Sequence, residues 1–78
     1  MDVTYVIKES RSEAYVGEEL VGVCEFSDNE GIRNIYHTEV KKEFGGHGIA
    51  RKLVEAAAQT DLKMQCDCSY AAHVLGIG

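Results

Sequence analysis

The chain has 78 residues, 45% of them hydrophobic, and a net charge of −5 at neutral pH. That length makes one domain with a marginal core, and the acidic balance excludes a nucleic-acid face, which needs clustered positive charge. No run approaches the roughly 18 apolar residues of a membrane span, and Met1-Asp2-Val3-Thr4 carries no positive leader, so the three cysteines read as reduced thiols of a cytoplasmic protein.

Val3 to Lys8 predicts a strand with Val3, Tyr5 and Ile7 on one face. Ala14-Tyr15-Val16 predicts a short second strand, Glu18-Glu19 a turn, and Leu20 to Phe26 a third strand. Its nearly unbroken apolar run, Leu20 to Cys24, predicts cover on both faces. Asp28 to Gly31 predicts a hairpin turn, and Ile32 to Val40 the fourth strand. There Ile35, His37 and Glu39 alternate against Asn34, Tyr36 and Thr38, with a one-residue slip of face left open.

Residues 47–61 predict a helix whose apolar stripe is Ile49, Leu53, Val54, Ala57 and Ala58. Leu62 to Cys66 predicts a fifth strand, and Asp67 the N-cap of a final short helix. The order is ββββαβα. A right-handed strand-helix-strand crossover makes strands four and five parallel and brings Val40 and Cys68 to one sheet end.

Three glycines in four positions, Gly45, Gly46 and Gly48, stand between the fourth strand and the helix. Strand, glycine turn and helix together build an anion cradle: glycine lets backbone approach a phosphate, and free helix N–H groups point at it. The same glycines also serve a plain tight loop. No Gly-Lys-Ser/Thr follows, and the third glycine of a dinucleotide fingerprint is missing. Residues 41–52 carry Lys41, Lys42, Arg51 and Lys52 against Glu43 alone, a local +3 that leaves −8 on the rest. This concentration of charge suits a polyanionic ligand.

Cys68, at the start of the last helix, is either a reactive thiol at the positive end of the helix dipole or a small buried hydrophobe. His37 is either a satisfied, partly buried histidine or a base beside a ligand. Tyr36 and Tyr70 read first as packing residues with a wet hydroxyl. Cys66 and Cys68 with His37 and His73 invite a metal, but Cys-x-Cys lacks the usual spacing of structural zinc ligands. No metal is assigned.

Taken together, His37-Thr38-Glu39-Val40, then Glu43-Phe44-Gly45-Gly46-His47-Gly48-Ile49-Ala50-Arg51-Lys52-Leu53-Val54, then Cys68-Ser69-Tyr70, resemble the compact single-domain branch of the GNAT N-acetyltransferase superfamily. The resemblance spans about Ile32 to Leu75. It implies an α+β fold with a mixed, mostly antiparallel five-stranded sheet whose fourth and fifth strands splay around a cofactor. It implies an acetyl-coenzyme A site, with the pyrophosphate on the backbone of Gly45, Gly46, His47, Gly48, Ile49 and Ala50 and the phosphates near Arg51 and Lys52. The pantetheine arm would then lie along His37, Thr38, Glu39 and Val40, like an added strand. A primary amine would accept the acetyl group, either directly with His37 or Glu39 relaying its proton, or through Cys68 as nucleophile. A coenzyme A-binding module without catalysis is the alternative. An exposed edge strand is free to pair with a second copy, though no residue demands it.

Overall fold

The computed structural model describes residues 1–77. Its strands are β1 (Thr4–Ile7), β2 (Arg11–Val16), β3 (Glu19–Asn29), β4 (Ile32–Val40) and β5 (Lys63–Cys66). Its helices are α1 (Ile49–Ala57) and α2 (Ser69–Leu75), with a 3₁₀ turn at Lys42–Phe44. The five strands form one sheet in sequence order. β1 to β4 are antiparallel, and β5 runs parallel to β4. The ββββαβα order and the parallel pair are as the sequence predicts.

Cross-strand partners share a face of a sheet, so the register sorts the residues. Ser12 pairs with Cys24, Ala14 with Gly22, Cys24 with Thr38 and Phe26 with Ile35. This face is the core. α1 lays Ile49, Leu53, Val54 and Ala57 on it, and α2 adds Ala71. Gly22 is what allows the close approach: a Cβ there would stand 3.0 Å from Leu53 Cδ1 and 3.2 Å from the Glu39 carbonyl oxygen. Ser12 lies fully buried beneath α1 and donates to the Leu53 carbonyl at 2.8 Å.

The opposite face carries Glu13, Val23, Glu25, His37 and Glu39, and among the described residues no helix covers it. The expected cover on both faces of β3 is therefore overturned, and Val23 is half-buried. The alternation expected along β4 is also corrected. Glu25 pairs with His37 but Phe26 pairs with Ile35, so Tyr36 is an extra residue, a β-bulge. Ile35 points into the core, and beyond the bulge Thr38 and Val40 take that side while His37 and Glu39 turn outward.

Smaller differences concern element ends. β2 begins at Arg11 rather than Ala14, and β3 runs on to Asn29. The first turn is Gly17-Glu18, and the second is Glu30-Gly31. α1 is shorter at both ends than 47–61, Ile7 stays exposed, and β5 starts one residue late. Cys68, not Asp67, occupies the N-cap position of α2. Asp67 instead accepts a hydrogen bond from Asn34 Nδ2 at 3.0 Å.

Candidate active site

The parallel pairing of β4 and β5 runs only from Ile32 opposite Lys63 to Ile35 opposite Cys66. The N–H groups of Asp67 and Cys68 both donate to the Ile35 carbonyl, and the chain then turns into α2. From Tyr36 to Val40 β4 continues without β5, paired with β3 on its other side, so the parallel strands part where the bulge sits. Lys41 N–H points to Val21 of β3 at 2.8 Å. Backbone direction alternates along a strand, so Val40 and Thr38 turn their N–H and C=O toward the side β5 has left.

At the end of β4 lies a cavity of about 250 Å³, lined by Val40, Phe44, the glycine turn, the start of α1 and Tyr70 of α2. Gly46 and Gly48 both have positive φ, 79° and 75°, and a Cβ on either would meet no atom within 4 Å. Gly48 caps α1 without any side-chain hydrogen bond. Among the described residues, none of the backbone N–H groups from Gly46 to Ala50 has a protein acceptor. This is a row of free donors beside a cavity, backed by a helix N-terminus.

Of the residues singled out from sequence, Val40, Gly45, Gly46, Gly48, Ile49 and Ala50 line this cavity. His47 and Lys52 line a different one, of about 380 Å³, with Tyr5 and the first three residues. Arg51 is exposed and pairs with Glu55 at 3.6 Å. His37 and Glu39 lie together on the outward face, with Nε2 and Oε1 3.1 Å apart. Phe44 and Tyr70 also line the glycine-turn cavity, beyond the residues that the sequence singles out for it. An aromatic residue directly before Gly45, and a tyrosine two residues after Cys68, were the available signals.

Thr38 stands between two thiols. Its Oγ1 is 3.7 Å from Cys68 Sγ and 3.7 Å from Cys24 Sγ. Cys68 is half-buried and Cys24 fully buried. Burial pushes the thiols of Cys24 and Cys66 up from their ordinary range. Among the described residues, no three His, Cys, Asp or Glu side chains gather to hold a metal ion, and no helix is long and apolar enough to cross a membrane.

No curated protein sequence matches the chain. The family model of the GCN5-related N-acetyl-transferase matches residues 11–76, nearly the whole domain from β2 through α2. The strands that part at the bulge, the glycine turn and the matched model agree, and the chain belongs to the GCN5-related N-acetyltransferase family.

Proposed function

We propose that the chain transfers the acetyl group of acetyl-coenzyme A to a primary amine. The observation that carries this reading is the row of N–H groups, Gly46 to Ala50, without a protein acceptor among the described residues, beside a cavity also lined by Val40 from the stretch of β4 that β5 has left. A pyrophosphate needs several donors and a backbone it can approach closely. The residues present fit it: Gly46 offers open space where other residues carry a Cβ. The local +3 of residues 41–52, with Arg51 and Lys52 in the first turn of α1, adds electrostatic attraction for phosphates.

Acetyl-coenzyme A, when bound, supplies a thioester with an electrophilic carbonyl carbon. The backbone of Thr38 and Val40 receives the extended arm as a strand is received at a sheet edge. In a two-step route Cys68 would be the nucleophile: its sulfur would take the acetyl group as free coenzyme A leaves with the thiol proton, and the amine would then displace that sulfur. In a direct route Cys68 is dispensable. There His37 or Glu39, an exposed pair on the outward face, relays the proton of the amine through water. The −8 carried outside residues 41–52 steers a cationic acceptor to this protein.

Calorimetric titration with acetyl-coenzyme A, and with adenosine diphosphate as control, tests the site. Saturable binding that strongly prefers the full cofactor is expected, as is its loss in Gly46→Val. Normal binding by Gly46→Val removes the phosphate assignment. A panel of primary amines then separates enzyme from binding module. Amine-dependent release of free coenzyme A is expected, and binding without release makes the chain a coenzyme A-binding module. That second reading has its own support, because among the described residues no histidine or carboxylate is hydrogen-bonded to Cys68. Cys68→Ala divides the two routes: full turnover removes the nucleophile role.

A further inference from the structure

Among the described residues, the side chain of Cys68 makes one hydrogen bond, to Thr38. The arrangement is directional. The Cys68 thiol donates to Thr38 Oγ1, and the Thr38 hydroxyl donates to Cys24 Sγ, each at 3.7 Å, a reach suited to sulfur. A hydroxyl has one hydrogen and two lone pairs, so it can accept from one thiol while donating to the other, and can exchange those roles. Thr38 is fixed for this task. The bulge at Tyr36 turns its side chain to the core face, and pairing with Cys24 on β3 holds it there.

We propose that Thr38 is a positioning residue for Cys68, whose hydroxyl reverses its hydrogen bond to hold the Cys68 sulfur as a thiolate. At rest the relay runs from Cys68 through Thr38 to Cys24. When the Cys68 thiol gives its proton to solvent, the Thr38 O–H swings from the Cys24 sulfur to the Cys68 sulfur. The Cys24 thiol then donates to the lone pair that Thr38 has freed. Cys24 is suited to that end of the relay because its burial keeps it protonated. The only covalent bond that breaks is the Cys68 S–H, and its proton goes to solvent. The sulfur is held by a charge-assisted hydrogen bond in place of a neighbouring histidine. Cys24 and Thr38 thus acquire a role beyond packing.

This inference rests on the reading of Cys68 as a nucleophile, but its test requires no cofactor. The full chain is carbamidomethylated with iodoacetamide at mildly alkaline pH, iodide leaving as the thioether forms, and the label on Cys68 is followed by peptide mass spectrometry. Thr38→Val keeps the branched shape and removes the hydroxyl. It is expected to slow labelling of Cys68 about fivefold or more. That is the size of a hydrogen bond to a charged group, reduced by the higher intrinsic nucleophilicity of the more basic sulfur. Thr38→Ser restores the hydroxyl and is expected to return the rate to within about twofold of the wild type. Should Thr38→Val not fold, Thr38→Ala supplies the hydroxyl-free comparison without added bulk. Wild-type labelling by the hydroxyl-free variant overturns the relay, and so does slow labelling of Thr38→Ser, which would mark an effect of shape. Full acetyl transfer by Cys68→Ala would remove the nucleophile role while leaving the thiol relay intact, so the two failures are distinct.

Discussion

Glu13 shows how single side chains make this small fold possible. It sits on the face of the sheet without helices, yet it is only 4% exposed. The Tyr15 hydroxyl donates to one carboxylate oxygen and Arg11 Nε to the other, each at 2.7 Å. Tyr15 and then Arg11 hold its carboxyl below the usual 4.5, against the opposing effect of burial. A carboxyl held low when folded binds protons more weakly than it does in the unfolded chain. Its stabilisation is therefore fully present above about 4.5 and is lost as pH falls through the folded value. Glu13→Gln is expected to lower stability at pH 7 by about 1–2 kcal/mol. The gap to wild type should close in thermal melts below about pH 4.5. A gap that is constant down to about pH 3 would show that the charge of Glu13 contributes nothing. The same side chains explain why the sequence predicts a shorter second strand than β2. Arg11, Ser12 and Glu13 look unlike a strand until their partners are seen, and those partners include Leu53, far along the chain.

Between elements, the decisive contact is α1 over β3. Leu53 rests on Gly22, and the backbone of β4 closes the other side. An added Cβ would meet Leu53 Cδ1 at 3.0 Å and Val40 Cγ2 at 3.1 Å, both side chains able to shift, but also the Glu39 carbonyl, which is backbone. Gly22→Ala is expected to destabilise by about 1–3 kcal/mol in chemical denaturation. Because Val40 both presses on Gly22 and lines the glycine-turn cavity, it should weaken acetyl-coenzyme A binding as well. An unchanged denaturation midpoint would mean that helix and sheet move apart freely. Much of this level was legible in the sequence. The ends of β4, the stripe Ile49, Leu53, Val54 and Ala57, and the glycine turn all follow from periodicity and turn chemistry. The bulge was not legible, because it is a mismatch of register between β3 and β4, with no mark in β4 itself. It decides that Thr38 faces Cys68 and that His37 and Glu39 face away. The sequence therefore proposes candidate site residues along the chain, but its alternation puts His37 and Glu39 on the face of Ile35, which the bulge reverses.

As a whole, the molecule has helices on one side of a five-stranded sheet and a core of small extent. A chain of 78 residues buries a modest share of its surface, so a ligand bound only by the folded state contributes visibly to its stability. At a cofactor concentration of about a hundred times Kd, mass action adds about 2.7 kcal/mol. In domains of this size each kcal/mol moves the melting temperature by about 4–8 °C. Acetyl-coenzyme A should therefore raise Tm by about 10–20 °C under that condition, and adenosine diphosphate at the same concentration by much less. Gly46→Val should melt lower than wild type without ligand, because a β-branched residue is strained at φ 79°. It should gain nothing when acetyl-coenzyme A is added. The pairing of these two results matters. A ligand-free loss alone reports backbone strain, whereas the missing gain reports the cradle. If wild type saturates in calorimetry yet shows no rise in Tm, the cofactor binds the unfolded chain as well as the folded one. A preformed turn from Gly46 to Ala50 would then not be what holds it.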